Sequence, residues 1–136
     1  MIEEVSLYKT SDGSTFEYEE DAYNYETEYA LKKANIRIFD IDMHEITKDN
    51  YSSNTYSNVY CIVAGDSNEE DLDNAADMIY GWVDSSVDTT KIKPNTTIIY
   101  DPKTDEWVSV EQFQANVNAL TERLNQMLSL SKETHA

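Results

Sequence analysis

Asp40, Asp42 and His44 recur at every second position of the run Ile36–Ile46. On an extended strand, alternate side chains share a face. Two carboxylates and an imidazole would then line up as ligands of the kind divalent metals accept. Three collinear side chains do not converge on one ion without a ligand from elsewhere, and Glu45 falls on the opposite face, so a solvated polar strand face is the plainer reading. His44 with Cys61 would make a nucleophile–base pair, but no spacing supports it. Cys61 is the single cysteine, so no intramolecular disulfide is expected. It lies in the apolar run Val59–Ala64, where a thiol is inert rather than activated. The other histidine, His135, is the penultimate residue. General acid–base pairs are unavoidable by chance among 27 carboxylates. Val63-Ala64-Gly65-Asp66-Ser67 joins a strand to a helix start, where phosphates bind. It lacks a glycine-rich fingerprint, and Glu69, Glu70, Asp71 and Asp73 would repel an anion. The chain is therefore expected to be no enzyme and to carry no metal or cofactor.

Charge is the extreme feature. The 136 residues hold 27 acids and 10 bases, a net charge of −17. Residues 1–90 carry 21 acids and 5 bases, residues 91–136 only 6 and 5, and no Lys or Arg occurs from Asp49 to Thr90. Phosphate contacts need cations, so direct binding of nucleic acid is disfavoured, as is an anionic membrane. The natural complement is a basic protein. No leader or membrane-spanning run is evident, which leads to the expectation of a soluble, cytoplasmic protein. The plainest alternative is an acidic protein whose charge serves solubility alone.

The acids are ordered. Leu72, Ala75, Ala76, Ile79, Trp82 and Val83 form an apolar helical stripe. At 100° per residue, Asp66, Glu70, Asp73, Asp77 and Asp84 project within about a 60° wedge opposite it. Asp66 and Asp84 fall near or just past the helix ends. Carboxylates on adjacent turns stand about 5–6 Å apart, similar to the spacing of phosphates along a nucleic-acid strand. A preceding helix adds Glu17, Asp21 and Glu28 beside Tyr23, Tyr25 and Tyr29, and aromatics contribute interface area at low entropic cost. These are the candidate partner-binding residues, to be weighed against two ordinary solvated helix faces.

The elements that must position them follow from the pattern. Ser11-Asp12-Gly13 predicts a turn with a return strand at Thr15–Phe16. The first helix is expected over Glu19–Lys33, with Tyr18, Ala22, Tyr25 and Tyr29 on one face. Ile36–Ile46 reads as a half-buried strand with Phe39, Ile41 and Met43 inward, residues 48–58 as a loop, and Val59–Ala64 as a central strand. Ser67 and Glu70 suggest a capping box for the acidic helix. Thr96–Val110 reads as strand, turn and strand. Ser109 and Gln112 offer a second box, opening a last helix that runs to about Ser131.

In that last helix Val110, Phe113, Val117, Leu120, Leu124 and Met127 are spaced 3, 4, 3, 4, 3, a coiled-coil register. Packing on the chain's own sheet is the expected use. The alternative is a homodimer interface through Val117, Leu120, Leu124 and Met127. The sum is one α+β domain spanning residues 1–136, ordered ββαββαββα, with helices over one face of a mixed sheet.

Lys9, Asp12, Gly13, Phe16, Ala22 and Glu26, within "KTSDGSTFEYEEDAYNYE", resemble an N-terminal element of small phage and prophage proteins. The shared pattern is K-T-S-D-G, a Phe shortly after, then an acidic helix with a small residue and a Glu, and it covers 18 of 136 residues. The resemblance implies a phage-type antagonist of host defence, a nucleic-acid mimic or anti-CRISPR-like protein with a basic, nucleic-acid-binding host protein as partner. The other readings kept open are an assembly factor dimerising through the last helix and, third, a metal-dependent enzyme.

Overall fold

Gly13 takes φ 89°, a left-handed conformation that a residue without Cβ adopts freely. It turns β1 (Tyr8–Lys9) antiparallel onto β2 (Thr15–Phe16). The computed structural model describes residues 6–49, 51 and 59–135; most of the loop expected at 48–58 lies outside them. α1 (Glu19–Lys33) follows with Glu19, Glu20 and Asp21 in its first turn and Lys32 and Lys33 in its last, as the helix dipole prefers.

α1 buries a different side from the one its tyrosines suggest. Ala22, Thr27 and Leu31 are buried, whereas Tyr18 and Tyr29 are exposed. The tyrosines repeat with a helical period, but their rings can lie on a wet surface with the hydroxyl in water, so the period did not mark the core. Thr27 tolerates full burial because its Oγ1 donates to the Tyr23 carbonyl at 2.7 Å.

β3 (Ile36–Phe39) stops seven residues short of the expected Ile46. The chain reverses at Asp40–Met43, with Met43 N–H donating to the Asp40 carbonyl at 2.9 Å and Ile46 N–H returning to Ile38. The Asp40 carboxylate accepts from the amides of Asp42 and His44 at 2.9 and 3.0 Å. This local side-chain capping is how Asp forms turns, and a period-two reading is blind to it. Ile41 and Met43 are consequently exposed, and Asp40, Asp42 and His44 do not form a strand face.

β4 (Cys61–Ala64) leads into α2 (Glu69–Met78) and its π-helical continuation Ile79–Val83. A 3₁₀ turn at Thr89–Lys91 precedes β5 (Thr96–Asp101), β6 (Glu106–Ser109) and α3 (Val110–His135). The larger sheet runs β3-β4-β5-β6, and each neighbouring pair is antiparallel. The expected mixed sheet is thus corrected to an antiparallel one, with the first hairpin separate. The reason is the return segment 84–95. It brings the chain back to the end from which α2 left, where Asn95 N–H donates to the Gly65 carbonyl at 3.0 Å. β5 must then run opposite to β4.

Residues directly opposite in the ladder share a face. Ile36–Ala64, Ile38–Ile62–Ile98 and Tyr100–Trp107 define one side. It packs on Leu31, Ala34, Leu72, Ala75, Ile79 and Val83, forming the core beneath α1 and α2. The row Phe39–Cys61–Ile99–Val108 lies on the other side, which Asp101 shares. α3 meets this second side, where Asn116 Nδ2 donates to Asp101 Oδ2 at 3.0 Å. α1 and α2 therefore cover one face while only the start of α3 touches the other, so the helices do not share one face.

Candidate functional site

α2 begins one residue later than the Ser67–Glu70 box implies. Asn68 is the N-cap: its Oδ1 accepts from Asp71 N–H at 2.8 Å while its Nδ2 donates to Asp71 Oδ2 at 3.0 Å. Asn caps at least as well as Ser, and the reciprocal bond to Asp71 settles the choice. Ser67 Oγ is left buried without a partner among the described residues.

The apolar stripe lands as its spacing predicts. Leu72, Ala75, Ile79 and Val83 are buried, and Trp82 packs at the margin. In the π-helical turn, the amide of Asp84 reaches back five residues to the Ile79 carbonyl at 2.8 Å. Trp82 stacks on Tyr23 of α1 with ring centroids 4.6 Å apart, and its Nε1 donates to Asn24 Oδ1 at 2.8 Å. At the opposite end Lys33 approaches Asp71 at 3.7 Å. These contacts hold α2 antiparallel to α1.

With the stripe fixed inward, Glu69, Glu70, Asp73 and Asp77 stand exposed. Among the described residues none of the four has an ion pair or a hydrogen-bonded side chain. α2 also has no basic residue in its last turn. Asp66 is exposed at the approach to the helix, its backbone carbonyl held by Asn35 Nδ2 at 2.7 Å.

The other candidates divide. Asp84 is committed internally, accepting from the Val59 amide at 2.8 Å and the Ser86 amide at 2.9 Å. Glu28 is paired with Lys32 at 2.6 Å and turns towards a cleft shared with Arg37 and Glu45, away from α2. Burial, with Glu28 and Glu45 adding repulsion, pushes the Tyr51 hydroxyl in that cleft up to about 12. Tyr25 donates its hydroxyl to Asp12 Oδ2 at 2.5 Å. Glu17 and Asp21 are exposed at the start of α1. The two acid sets therefore do not merge into one face.

A groove between the helices holds Asp77, which the periodicity singled out, together with three acids that it did not. Asp12, Glu26, Asp71 and Asp77 line it together with Tyr29 and Lys33. Asp12 also accepts from Thr10 Oγ1 at 2.7 Å and Ser14 N–H at 3.0 Å. Hydrogen bonds from Tyr25, Thr10 and Ser14 hold its carboxyl far below the usual range, and Tyr25 is raised by the same bond. Glu26 accepts from the Ser11 amide at 3.0 Å and from its hydroxyl, and Phe16 packs on Tyr25. The residues of the N-terminal resemblance thus fasten the hairpin to α1. The Ser11-Asp12-Gly13 turn, Glu26 of the N-terminal pattern and Asp77 of the acidic wedge were each marked in advance, but nothing in the sequence signalled that they meet.

α3 presents the opposite chemistry. Gln112 N–H donates to Ser109 Oγ at 3.1 Å, the cap its sequence predicts. Only Phe113 and Asn116 along it are half-buried, and no residue of the helix is buried. Val117, Leu120, Leu124 and Met127 are 41%, 45%, 52% and 62% exposed. The expectation that this stripe packs on the chain's own sheet is overturned. α3 follows β6 with no intervening loop, so the chain has no slack with which to fold it back.

Cys61 is buried, and burial raises its thiol. His44 is exposed on its turn. Among the described residues, no group of three or more His, Cys, Asp or Glu is placed to hold a metal ion, and no helix is long and apolar enough to cross a membrane. Comparison of the chain with family models, with curated proteins and with solved structures gave no match.

Proposed function

We propose that the protein is a non-catalytic binding protein that seats the outer face of α2 in a basic groove of another protein, a groove made for DNA or RNA, and blocks it. The observation that carries this reading is the row Glu70, Asp73 and Asp77, exposed and unpaired among the described residues. Stability alone would favour cations near the end of α2, and acids on successive turns repel one another. A row kept against both tendencies suits a cationic partner. Its spacing of about 5–6 Å approximates that of backbone phosphates. The N-terminal resemblance points the same way, to a phage-type antagonist working in the cytoplasm of a host cell.

The test begins with capture of partners from a host lysate on the immobilised protein, followed by competition with labelled duplex DNA and RNA for the captured protein. Wild type should displace the nucleic acid, and its binding should weaken steeply with salt, because exposed charges are screened over about 8–10 Å near physiological ionic strength. The variant Glu70→Gln, Asp73→Asn, Asp77→Asn should associate more slowly and compete about tenfold less well. A variant that competes as well as wild type removes this face as the site. A partner that holds both ligands at once ends the mimicry reading.

A further inference from the structure

We propose that α3 is a self-association element that pairs antiparallel with α3 of a second copy, with Val117 opposite Met127 and Leu120 opposite Leu124. The exposed stripe alone does not choose its occupant; charge does. Of the 27 acids and 10 bases, α3 holds three acids and two bases, leaving 24 and eight for the rest of the chain. The body therefore carries −16 and the helix only −1. A second copy would be repelled from every strongly acidic part of the body, but not from α3. A lipid surface suits it poorly, because helices that lie on membranes bring rows of Lys and Arg to the polar face, and α3 has only Arg123 and Lys132.

Orientation follows from the same numbers. A parallel pair would place two bodies of −16 side by side at one end. An antiparallel pair holds them at opposite ends of a helix about 39 Å long, well beyond the screening length of about 8–10 Å. The register follows from the stripe. In knobs-into-holes packing the seam positions meet in layers. Centring the pair between Leu120 and Leu124 makes four successive layers wholly apolar: Val117–Met127, Leu120–Leu124 and their symmetry equivalents. A shift of one heptad towards the C-terminal end leaves two, because Ser131 and Thr134 then enter the seam. A shift towards the body would need Val110 and Phe113, which lie at the junction with β6, Phe113 already half-buried. The stripe also widens towards the C-terminal end of α3, where Leu128 and Leu130 are 53% and 62% exposed. In the antiparallel pair that end lies against the partner's body, where a wider apolar surface is covered. This proposal is independent of the acidic-face reading: it leaves α2 outward on both copies and presents two such faces.

Sedimentation of the full chain over a wide concentration range should give a dimer. The double variant Leu120→Glu, Leu124→Glu should be a monomer with an unchanged near-ultraviolet spectrum from the body tryptophans Trp82 and Trp107. Mixing Val117→Cys with Met127→Cys under mild oxidation should yield the mixed disulfide, with little of either homodisulfide. This second measurement decides the matter if the charged variant misfolds. A wild type that is monomeric throughout, a double variant that still dimerises, or predominant homodisulfides would overturn the proposal. The variant neutralised on α2 should dimerise as wild type does, which separates this outcome from that of the α2 face.

Discussion

α2 and α3 carry apolar stripes of similar period and use them in opposite ways. Leu72, Ala75, Ile79 and Val83 of α2 are at most 8% exposed, while Val117 through Met127 of α3 are 41–62% exposed. α2 enters after β4 with Gly65-Asp66-Ser67-Asn68 as a hinge, and it settles beside α1 on the apolar side of the sheet. α3 leaves an edge strand directly and is anchored chiefly where Asn116 meets Asp101. A stripe shows which side of a helix avoids water. The connection before the helix, and the space left on the sheet, decide whether the chain itself can cover that side.

The largest expected effect sets the two stripes against each other. Ile79 is fully buried, and Ile79→Ala should cost about 2–5 kcal/mol, the range for deleting a core aliphatic side chain. Leu120→Ala, made in a Leu124→Glu background to remove pairing, should change the stability of the body by less than about 0.5 kcal/mol. Urea denaturation followed by tryptophan fluorescence measures both. Equal costs would mean that α3 belongs to the core and that the contrast is false.

What the sequence revealed and concealed follows the same division. The Thr15–Phe16 strand, the span of α1, the stripe of α2 and the Ser109 cap were legible, because each rests on local chemistry or on a period that packing respects. The strand expected through Ile46 was not, because the Asp40 carboxylate caps a turn inside an alternating run. The tyrosine face of α1 misled for a different reason: amphipathic rings keep a helical period without being buried. The acidic groove needed the docking of the hairpin on α1, a contact between residues 15 apart such as Ser11 and Glu26. No helical or strand period reports that.

A second prediction concerns this lock, which fastens the hairpin to α1 chiefly by polar groups where α2 relies on apolar burial. The folded-state value of Asp12 is depressed by Tyr25, Thr10 and Ser14. Its contribution is therefore present above the ordinary carboxylate value of about 3.9, and it is lost as pH falls below that value towards the depressed one. Protection of the Ser14 amide from exchange, corrected for the intrinsic rate at each pH, should fall on acidification before that of the core amides of β4. Tyr25→Phe removes the leading hydrogen bond and should move the transition to higher pH. Simultaneous loss of both sets of amides would mean that the hairpin is not a separate unit.

The smallest effect is the most discriminating for α2. Glu70, Asp73 and Asp77 touch no cation among the described residues, so their neutralisation removes no stabilising pair. Glu70 lies in the first turn, where losing its charge should cost about 0.3–1 kcal/mol against the dipole. Relief of repulsion along Glu70, Asp73 and Asp77 should return a few tenths of a kcal/mol per pair. Asp77, near an end without a cation, should return a little more. The two sides nearly cancel, so the triple variant should melt with wild type to within about 0.5 kcal/mol. Thermal denaturation at low and moderate salt reads this directly, since added salt should shrink whatever small difference appears. A loss of 2 kcal/mol or more, of the order seen when a buried group loses its partner, would give these carboxylates a structural role. Near-neutrality would leave them as exposed charge with no structural role in the fold, a condition that the proposed binding role for this face requires.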